Sequence, residues 1–222
     1  MAQHAEGVAD YLIELTQTEM AEYFRPNFFA NTPDILHEYL QTGGRAAFRV
    51  RLLLAATLSP TYGIYSGFEL CENEPREPGS EEYLNSEKYE IKFRHWDAAG
   101  NINEDIEKIN RARRENPALQ YLNNITFLRC DNDRLLCYRK SAPPNELIVI
   151  ANLDPDRAHE STVHVPLHEL GIAENQPYQL EDLLTGERFT WKGIENYVFL
   201  DPKLSVGHVL RVLLPDTETN RK

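Results

Sequence analysis

The sequence predicts an α/β unit followed by an all-β unit, and two observations support this order. Within residues 1–120, helical patterns alternate with short strand-like runs, as in parallel sheets that are covered by helices. Within residues 121–222, seven short strand-like runs are separated by turn signals, as in antiparallel β-sandwiches. With 222 residues, of which 41% are hydrophobic, the chain is long enough to bury a core in both units.

Helices and strands alternate in the first unit. Three stretches carry apolar residues at helical spacing and are predicted helices, at residues 5–23, 44–59 and 103–120. Phe28 and Phe29 predict a short buried strand, and "YGIYSGFE" over residues 62–69 predicts a second one. Two parallel strands expose unpaired edges and bury little surface, so we expect this unit to be the end of something larger.

The second unit consists of strands separated by turns. The strand-like runs cover residues 124–130, 134–140, 146–153, 161–167, 177–184, 197–201 and 208–214. Turn signals between them include Pro143 with Pro144, and the "TGE" sequence at 185–187. Short strands at this spacing favour two packed antiparallel sheets.

Composition excludes several classes of function. The net charge of −12 disfavours nucleic acid as a partner, because the phosphate backbone is also negatively charged. No apolar run reaches the roughly 20 residues that cross a bilayer, and the first ten residues lack the features of a signal peptide. We therefore expect a cytoplasmic protein without a membrane partner. Cys71, Cys130 and Cys137 have no metal-ligand spacing, so reduced thiols that are buried or half-buried are expected.

Asp34 is the first candidate site residue. It follows Pro33 at the end of the first predicted strand, and the active-site groups of eight-stranded parallel barrels lie at such carboxyl ends. Proline has a fixed φ and helps a sharp turn to hold the next side chain in place. An aspartate that only caps a turn or a helix is the simpler alternative. Glu69 ends the second predicted strand, and we interpret it as a structural carboxylate that bonds loop amides.

The long polar loop after the second predicted strand carries further candidates. Lys88 and Tyr89 offer ammonium and hydroxyl groups that suit a polyhydroxylated ligand, although a solvated loop would look the same. Tyr62, Tyr65 and Trp96 could stack on sugar faces, or they could be core residues.

Two other patterns favour structural interpretations. His164 and His168 have a helical metal-ligand spacing, but Pro166 between them and the strand context argue against zinc. The basic run over residues 111–114, which includes Arg113, is predicted to face solvent or to pair with acidic neighbours. No phosphate-binding glycine loop, dinucleotide fingerprint or Gly-x-Ser-x-Gly sequence occurs.

Three stretches together resemble a known family. In order and spacing, "RPNFFANTPDIL", "AATLSPTYGIYSGFELCENEP" and "EEYLNSEKYEIKFRHWD" are similar to the C-terminal third of the bacterial maltose-1-phosphate maltosyltransferases, which belong to the α-amylase superfamily. "LEDLLTGERFTW" is similar to the end of many C-terminal domains in that superfamily. The resemblance implies that residues 1–120 are the last two βα units of a (β/α)8 catalytic barrel. It also implies that residues 121–222 are its C-terminal β-sandwich domain.

The resemblance implies roles for particular residues. Asp34 matches the family's third catalytic carboxylate, which bonds the hydroxyls of the sugar at the reacting subsite and stabilises the transition state. Lys88 and Tyr89 match a pair that binds the second glucose of the maltosyl unit. Many α-amylases have Asn-His-Asp at the first position, whereas Thr32 and Pro33 precede the aspartate here. This departure favours the maltosyltransferase branch.

The implied activity is the retaining transfer of maltosyl units from α-maltose 1-phosphate to the non-reducing end of an α-1,4-glucan. A nucleophilic aspartate and an acid glutamate about 5 Å apart are needed for such a double displacement. In the family both follow strands that precede the part matched here, so the chain alone is expected to be an inactive fragment. No metal or organic cofactor is implied, and a homodimer is implied for the full-length enzyme.

Two alternatives of other kinds stay open. The chain could be a carbohydrate-binding or accessory module, in which the sandwich binds glucan and the first unit only supports it. It could also be part of a related enzyme of the same superfamily, such as a trehalose synthase or a hydrolase.

Overall fold

The computed structural model describes residues 5–87 and 91–214, in which a helix-rich part precedes a strand-rich part. The helices are α1 (Ala5–Gln17), α2 (Met20–Tyr23), α3 (Glu38–Thr42), α4 (Gly44–Leu58) and α5 (Asn103–Glu115). The strands are β1 (Phe28–Phe29), β2 (Tyr62–Gly63), β3 (Ile125–Phe127), β4 (Leu135–Ala142), β5 (Asn145–Asn152), β6 (His159–His164), β7 (Pro177–Asp182), β8 (Arg188–Lys192), β9 (Glu195–Leu200) and β10 (Gly207–Leu213).

β1 and β2 form a parallel pair, in which Phe28 lies beside Tyr62 and Phe29 lies beside Gly63. The connection between them passes through α4, which packs against both strands and against α5. Most side chains of α4 are buried, because the helix also contacts β5 of the second unit on its other side. A helix that is enclosed in this way is apolar around most of its circumference, which explains its Leu- and Ala-rich sequence.

Three local features of the first unit differ from the prediction. The helix expected over residues 5–23 is interrupted between α1 and α2, where Thr18 Oγ1 accepts a hydrogen bond from Met20 N at 3.2 Å. The short helix α3 is an additional element; His37 caps it by accepting a hydrogen bond from Tyr39 N. The second strand ends at Gly63 and not at residue 69, since Gly67, with a φ of +95°, turns the chain into a short 3-10 helix.

The second unit contains an antiparallel sheet of six strands in the order β3-β4-β5-β10-β7-β8. At its centre, Val149 of β5 lies between Tyr138 of β4 and Val209 of β10. β6 and β9 form a second antiparallel layer. This arrangement agrees with the predicted antiparallel sandwich. β8 is an additional strand, although Phe189 and Trp191 alternate there with polar residues.

Both faces of the six-stranded sheet are covered. On one face, side chains such as Ile148 and Ile150 pack with residues of β6 and β9. On the other face, side chains such as Tyr138 and Val149 pack with the helices of the first unit. β4 and β5 are therefore buried at consecutive positions and not at alternate ones. The sheet belongs to two hydrophobic cores at once.

Candidate active site

The carboxyl ends of β1 and β2 lie side by side because the two strands are parallel. After β1 the chain makes a tight turn from Thr32 to Ile35, which is closed by a hydrogen bond from Ile35 N to Thr32 O at 3.4 Å. Pro33 and Asp34 occupy the two central positions of this turn, and both side chains are exposed. The structure therefore puts the Asp34 carboxylate at the surface beyond the end of a strand, as the sequence predicts.

Asn31 is a buried residue that holds this turn in place, and sequence reasoning missed it. Its Oδ1 accepts a hydrogen bond from Tyr65 N at 2.8 Å, and its Nδ2 donates to Tyr83 Oη at 2.7 Å. One side chain thus connects the end of β1 to the segment after β2 and to the long polar loop. Burial raises the pKa of Tyr83 to about 12, so its hydroxyl stays protonated. The only signal in the sequence was an asparagine shortly after a strand-like run.

Glu69 lies in the 3-10 helix Phe68–Leu70 and not at the end of a strand. Its Oε2 accepts a hydrogen bond from Gly67 N at 2.9 Å, and its carbonyl oxygen accepts one from Ile102 N at 2.8 Å. These contacts match the predicted structural carboxylate. Gly67 is favoured by its φ of +95°, and a Cβ there would lie 2.3 Å from Oε2 of Glu72, so the Glu72 carboxylate would have to shift.

An ion-pair network holds the long loop against this end of the molecule. Glu72 accepts hydrogen bonds from Lys92 at 3.0 Å and from Arg94 at 2.9 Å, and Arg94 also pairs with Glu87 at 2.9 Å. Burial opposes ionisation of Glu72, but the bonds from Arg94 and Lys92 hold the pKa of this carboxyl below its usual range. Tyr65 Oη donates to Glu87 at 3.4 Å and connects the network to the segment after β2. Sequence spacing does not reveal this network, since its members are up to 22 residues apart.

Lys88 and Tyr89, the predicted sugar-binding pair, lie outside the described residues. The segment that follows them is described and has no regular secondary structure, and its Lys92 and Arg94 donate hydrogen bonds to Glu72. Ile91 and Phe93 alternate with these two and are 84% and 93% exposed. The loop is thus anchored through its charged residues, while its apolar residues face outwards.

The three aromatic candidates have different environments. Trp96 is 46% exposed, and the Arg94 guanidinium lies over its ring at 5.8 Å. Tyr65 is half-buried, and its ring contacts that of Tyr83 at 5.7 Å. Tyr62 is half-buried and donates a hydrogen bond to Asn110 at 2.7 Å, below the guanidinium of Arg113. Trp96 is therefore the most accessible of the three predicted stacking residues.

Other sequence candidates lie away from this end. His164, in β6, bonds Asp131 at 3.1 Å, and His168 is exposed on a 3-10 helix. Within residues 5–87 and 91–214, no group of three or more His, Cys, Asp or Glu side chains could hold a metal ion. The prediction for Arg113 was wrong: its side chain is buried and donates to the carbonyl oxygens of Ala56, Ser59 and Pro60 at the end of α4.

The cysteines are free thiols. Cys71 and Cys130 are half-buried and Cys137 is buried, as expected from the sequence. Burial raises the pKa of Cys71 to about 11. A hydrogen bond with Cys137, opposed by burial and assisted by one with Ser161 at 3.1 Å, lowers the pKa of Cys130 to about 6. Cys130 is therefore the most acidic of the three thiols.

The chemistry available at the end of β1 and β2 follows from these contacts. An exposed carboxylate on a proline-containing turn can accept hydrogen bonds from the hydroxyl groups of a ligand. Buried Asn31, directly before the turn, bonds Tyr65 and Tyr83, so the start of the turn is tied to two neighbouring segments. Such a site suits a polyhydroxylated ligand.

Comparison with solved structures identifies the architecture. An α-amylase from Geobacillus thermoleovorans, solved in complex with acarbose, superimposes with a TM-score of 0.66 at 14% identity. The match covers 96% of this chain and 45% of that enzyme. The chain therefore shares the fold of part of this α-amylase.

Sequence comparison identifies relatives of the chain. Residues 127–212 match the family model "GLGE, C-terminal". The chain is 50% identical over 214 residues to α-1,4-glucan:maltose-1-phosphate maltosyltransferase 2 of Streptomyces coelicolor. The aligned region covers 95% of this chain and 32% of that relative. The corresponding enzyme of Rhodospirillum rubrum is 47% identical, over 92% of this chain and 30% of its own length. The chain is thus homologous to the C-terminal part of the maltose-1-phosphate maltosyltransferases, and it spans about a third of their length.

Within the described residues, no helix combines the length and the apolar character that crossing a bilayer requires.

Proposed function

We propose that the chain forms the C-terminal part of a retaining glycosyltransferase that moves maltosyl units from α-maltose 1-phosphate to the non-reducing end of α-1,4-glucans. The observation that carries this proposal is the 50% identity over 95% of the chain to a maltosyltransferase. In the proposal, residues 1–120 complete a (β/α)8 barrel in which β1 and β2 are the last two strands, and residues 121–222 form its sandwich domain. The parallel pairing of β1 with β2 supports this assignment.

In this proposal Asp34 stabilises the transition state. The reacting sugar acquires positive charge as its bond to phosphate breaks, and a carboxylate fixed nearby lowers the energy of that charge. Lys88 and Tyr89 bind the second glucose of the maltosyl unit. The nucleophile and the general acid lie in the two thirds of the relatives that this chain does not span, so the chain alone is inactive. The complete enzyme is a cytoplasmic homodimer.

The test is reconstitution of phosphate release. The chain is co-expressed with the preceding part of the Streptomyces coelicolor relative, and phosphate release from maltose 1-phosphate is measured with maltohexaose as acceptor. We expect activity from the pair and none from either part. Asp34→Asn should lower kcat by about 100- to 1000-fold, because the residue acts on the transition state. The control is Asp133→Asn, a highly exposed carboxylate near the start of β4, which should leave kcat unchanged.

Phosphate release by the chain alone would contradict the fragment assignment. A reconstituted pair that hydrolyses maltooligosaccharides without any dependence on phosphate would favour a hydrolase of the same superfamily. A kcat that is equal in the Asp34→Asn and Asp133→Asn variants would remove Asp34 from the reaction.

A glucan-binding accessory role is the second candidate, and one observation favours it. Tyr197 and Phe199, on the outward face of β9, are 63% and 53% exposed. Tyr197 Oη donates to Glu160 on the neighbouring strand β6 at 2.5 Å, which fixes the ring beside a carboxylate. Exposed aromatic rings and carboxylates are groups that bind the faces and hydroxyls of sugars.

Calorimetric titration of the 222-residue chain with maltoheptaose tests this second role. We expect a dissociation constant in the millimolar range that weakens at least fivefold in Tyr197→Ala and in Phe199→Ala. Tyr121→Ala removes an equally exposed ring elsewhere and is the matched control. If all three variants bind like the unmodified chain, the outer face of β9 is not a glucan site.

A further inference from the structure

The segment that follows β3 passes from one layer of the second unit to the other. Leu128 N bonds Cys137 O of β4 at 2.9 Å, as a continuation of the six-stranded sheet. Two residues later, Cys130 forms an antiparallel bridge with Val163 of β6, in the second layer. Backbone hydrogen bonds of 3.0 and 3.3 Å between the same two segments lie on either side of this bridge. Cys130 and Cys137 therefore belong to different layers of the sandwich.

The side chains of these two cysteines meet between the layers. Cys137 is 2% exposed and belongs to the core that the six-stranded sheet forms with β6 and β9. Cys130 is half-buried and packs against the same core. The two thiols are hydrogen-bonded to each other, and Cys130 Sγ also forms a hydrogen bond with Ser161 Oγ of β6 at 3.1 Å. One sulfur is thus partly exposed, and the other lies next to it in the core.

The shared hydrogen bond gives the two thiols different acidities. The bond with Cys137, together with the one from Ser161, outweighs burial and lowers the pKa of Cys130 to about 6. The same bond and burial raise the pKa of Cys137. Near neutral pH, Cys130 is therefore mainly a thiolate, and Cys137 is a thiol. The thiolate is the form that attacks peroxides, so the partly exposed sulfur is also the nucleophilic one.

A metal ion is a poorer explanation of the pair. Zinc sites in proteins use three or four side-chain ligands. In the part of the chain that the structure describes, these two cysteines belong to no group of three or more His, Cys, Asp or Glu side chains that could hold a metal ion. Two sulfurs in contact, of which one is a thiolate, instead have the arrangement from which a disulfide forms.

We propose that Cys130 and Cys137 form an oxidative modification site, at which hydrogen peroxide converts the two thiols to a disulfide that links the layers of the sandwich. The Cys130 sulfur attacks one peroxide oxygen, the O–O bond breaks, and hydroxide leaves and takes a proton from the solvent. The Cys137 sulfur then attacks the resulting sulfenic acid, so that the S–S bond forms and the S–O bond breaks. The leaving hydroxyl departs as water with the Cys137 proton.

The electrons balance in this sequence, because the two sulfurs together lose two electrons and the peroxide is reduced to two molecules of water. Two molecules of a small thiol such as glutathione reverse the reaction by thiol–disulfide exchange. The modification is therefore reversible in a reducing compartment.

Cys71 provides a comparison within the same chain. It is half-buried like Cys130, but it lies in the first unit, where its Sγ donates to Gly100 O at 3.9 Å. Burial raises the pKa of Cys71 to about 11, so little thiolate is present near neutral pH. The other two cysteines of the chain are both in the second unit. We therefore expect slow oxidation of Cys71 and no disulfide.

Peroxide treatment of the folded 222-residue chain, followed by peptide mass spectrometry, tests the proposal and does not depend on the proposed reaction. We expect the peptides that carry Cys130 and Cys137 to be joined with the loss of two hydrogen atoms, and dithiothreitol to separate them. The Cys130 thiol should disappear at least tenfold faster than the Cys71 thiol. If these peptides stay separate, or are joined only after the chain is unfolded in urea, the proposal is overturned.

The variant Cys137→Ala separates the two steps. Without the second sulfur, the sulfenic acid of Cys130 cannot condense, so dimedone should label this residue at least tenfold more than in the unmodified chain. Cys71→Ser is the matched control and should form the disulfide at the unmodified rate. Equal dimedone labelling in the Cys137→Ala variant and the unmodified chain would contradict a disulfide step.

Cys130→Ala gives a second measurement that does not require the Cys137→Ala variant to fold. In Cys130→Ala, the buried thiol of Cys137 has lost the neighbouring sulfur through which it is oxidised. Peroxide should then consume the Cys137 thiol at least tenfold more slowly than in the unmodified chain. An unchanged rate would show that Cys137 is oxidised without Cys130, which the proposal excludes.

Discussion

Lys140 lies on the face of β4 that is turned towards the helices, and its side chain is fully buried. Its Nζ donates to the carbonyl oxygen of Tyr121 at 2.6 Å. Burial, and to a smaller extent the charge of Arg113, lowers the pKa of Lys140 from 10.5 to about 7. The folded protein therefore holds this lysine mostly neutral in mildly alkaline solution, whereas the unfolded chain keeps it protonated.

This difference predicts a pH dependence of stability. Between about pH 7 and about pH 10.5 the unfolded state binds more protons than the folded state, so the free energy of unfolding rises with pH across that window. From about pH 7 to about pH 9 we expect Lys140 to contribute an increase of about 2 kcal/mol. Urea unfolding at several pH values measures it, and Lys140→Met should remove it.

Lys108→Met is the control for this measurement, because Lys108 is on the surface of α5 and pairs with Glu104. Its pH profile should follow that of the unmodified chain. If Lys140→Met and Lys108→Met show the same profile, the burial of Lys140 does not control its ionisation.

The elements of the first unit are connected through the end of α4. The last carbonyl groups of a helix have no partners within it, and α4 has no basic residue in its own last turn. Arg113 of α5 supplies the donors, bonding Ser59 O at 3.0 Å and Pro60 O at 2.6 Å as well as Ala56 O. Its guanidinium also lies 5.0 Å from the ring centroid of Tyr62 in β2. A single side chain thus joins α4, α5 and β2.

We therefore expect Arg113→Met to lower the free energy of unfolding by about 3 kcal/mol, since it leaves several buried carbonyl oxygens without donors. Arg111, two residues earlier on the same helix, is exposed and pairs with Glu107. Arg111→Met should change the free energy of unfolding by less than about 0.5 kcal/mol. Urea unfolding of both variants checks the difference, and equal effects would contradict the bridging role of Arg113.

At the scale of the whole molecule, the six-stranded sheet joins the two units. One of its faces belongs to the core with the helices and the other to the core with β6 and β9. Neither core can form without the sheet, so the described molecule should unfold as one cooperative unit. The chain has two tryptophans, Trp96 in the first unit and Trp191 in β8, and each reports on one part.

Fluorescence of the single-tryptophan variants Trp96→Phe and Trp191→Phe tests this cooperativity. In each variant, the urea midpoint of the remaining tryptophan's fluorescence should equal the midpoint of the circular dichroism signal of the backbone. Because both signals are measured on the same variant, a change in its overall stability does not affect the comparison. A variant whose fluorescence transition precedes or follows its backbone transition would show that the two units unfold separately.

Local patterns predicted many of the elements. Apolar spacing located α4 and α5, short strand-like runs between turn signals located most strands of the second unit, and Pro33 with Asp34 marked a turn at the end of β1. The interruption between α1 and α2, the early end of β2 and the strand β8 were missed. Each of these features depends on a few local hydrogen bonds, such as the bond from Met20 N to Thr18, or on pairing with a neighbouring strand. The spacing of apolar residues along the sequence does not reveal such bonds.

The residues that support the candidate site were harder to predict than the site itself. Asn31, Glu72 and Arg94 are polar residues in loops, and sequence alone gives no reason to pair residues of distant segments. Arg113 belongs to a basic run on a polar helix face, where the general expectation is a solvent-exposed charge. It is buried because α4 ends against it, a contact between residues more than 50 positions apart.

The sequence by itself determined the order of the units, the turn that carries Asp34 and the family to which the chain is homologous, because these depend on neighbouring residues and on motifs. The tertiary structure decided which charged groups are buried, which are paired, and which buried donors, such as Nε of Arg51, have no hydrogen-bond partner among the described residues. Burial and charge pairing depend on which groups are close in space. In the folded chain, these groups come from segments that are far apart in the sequence.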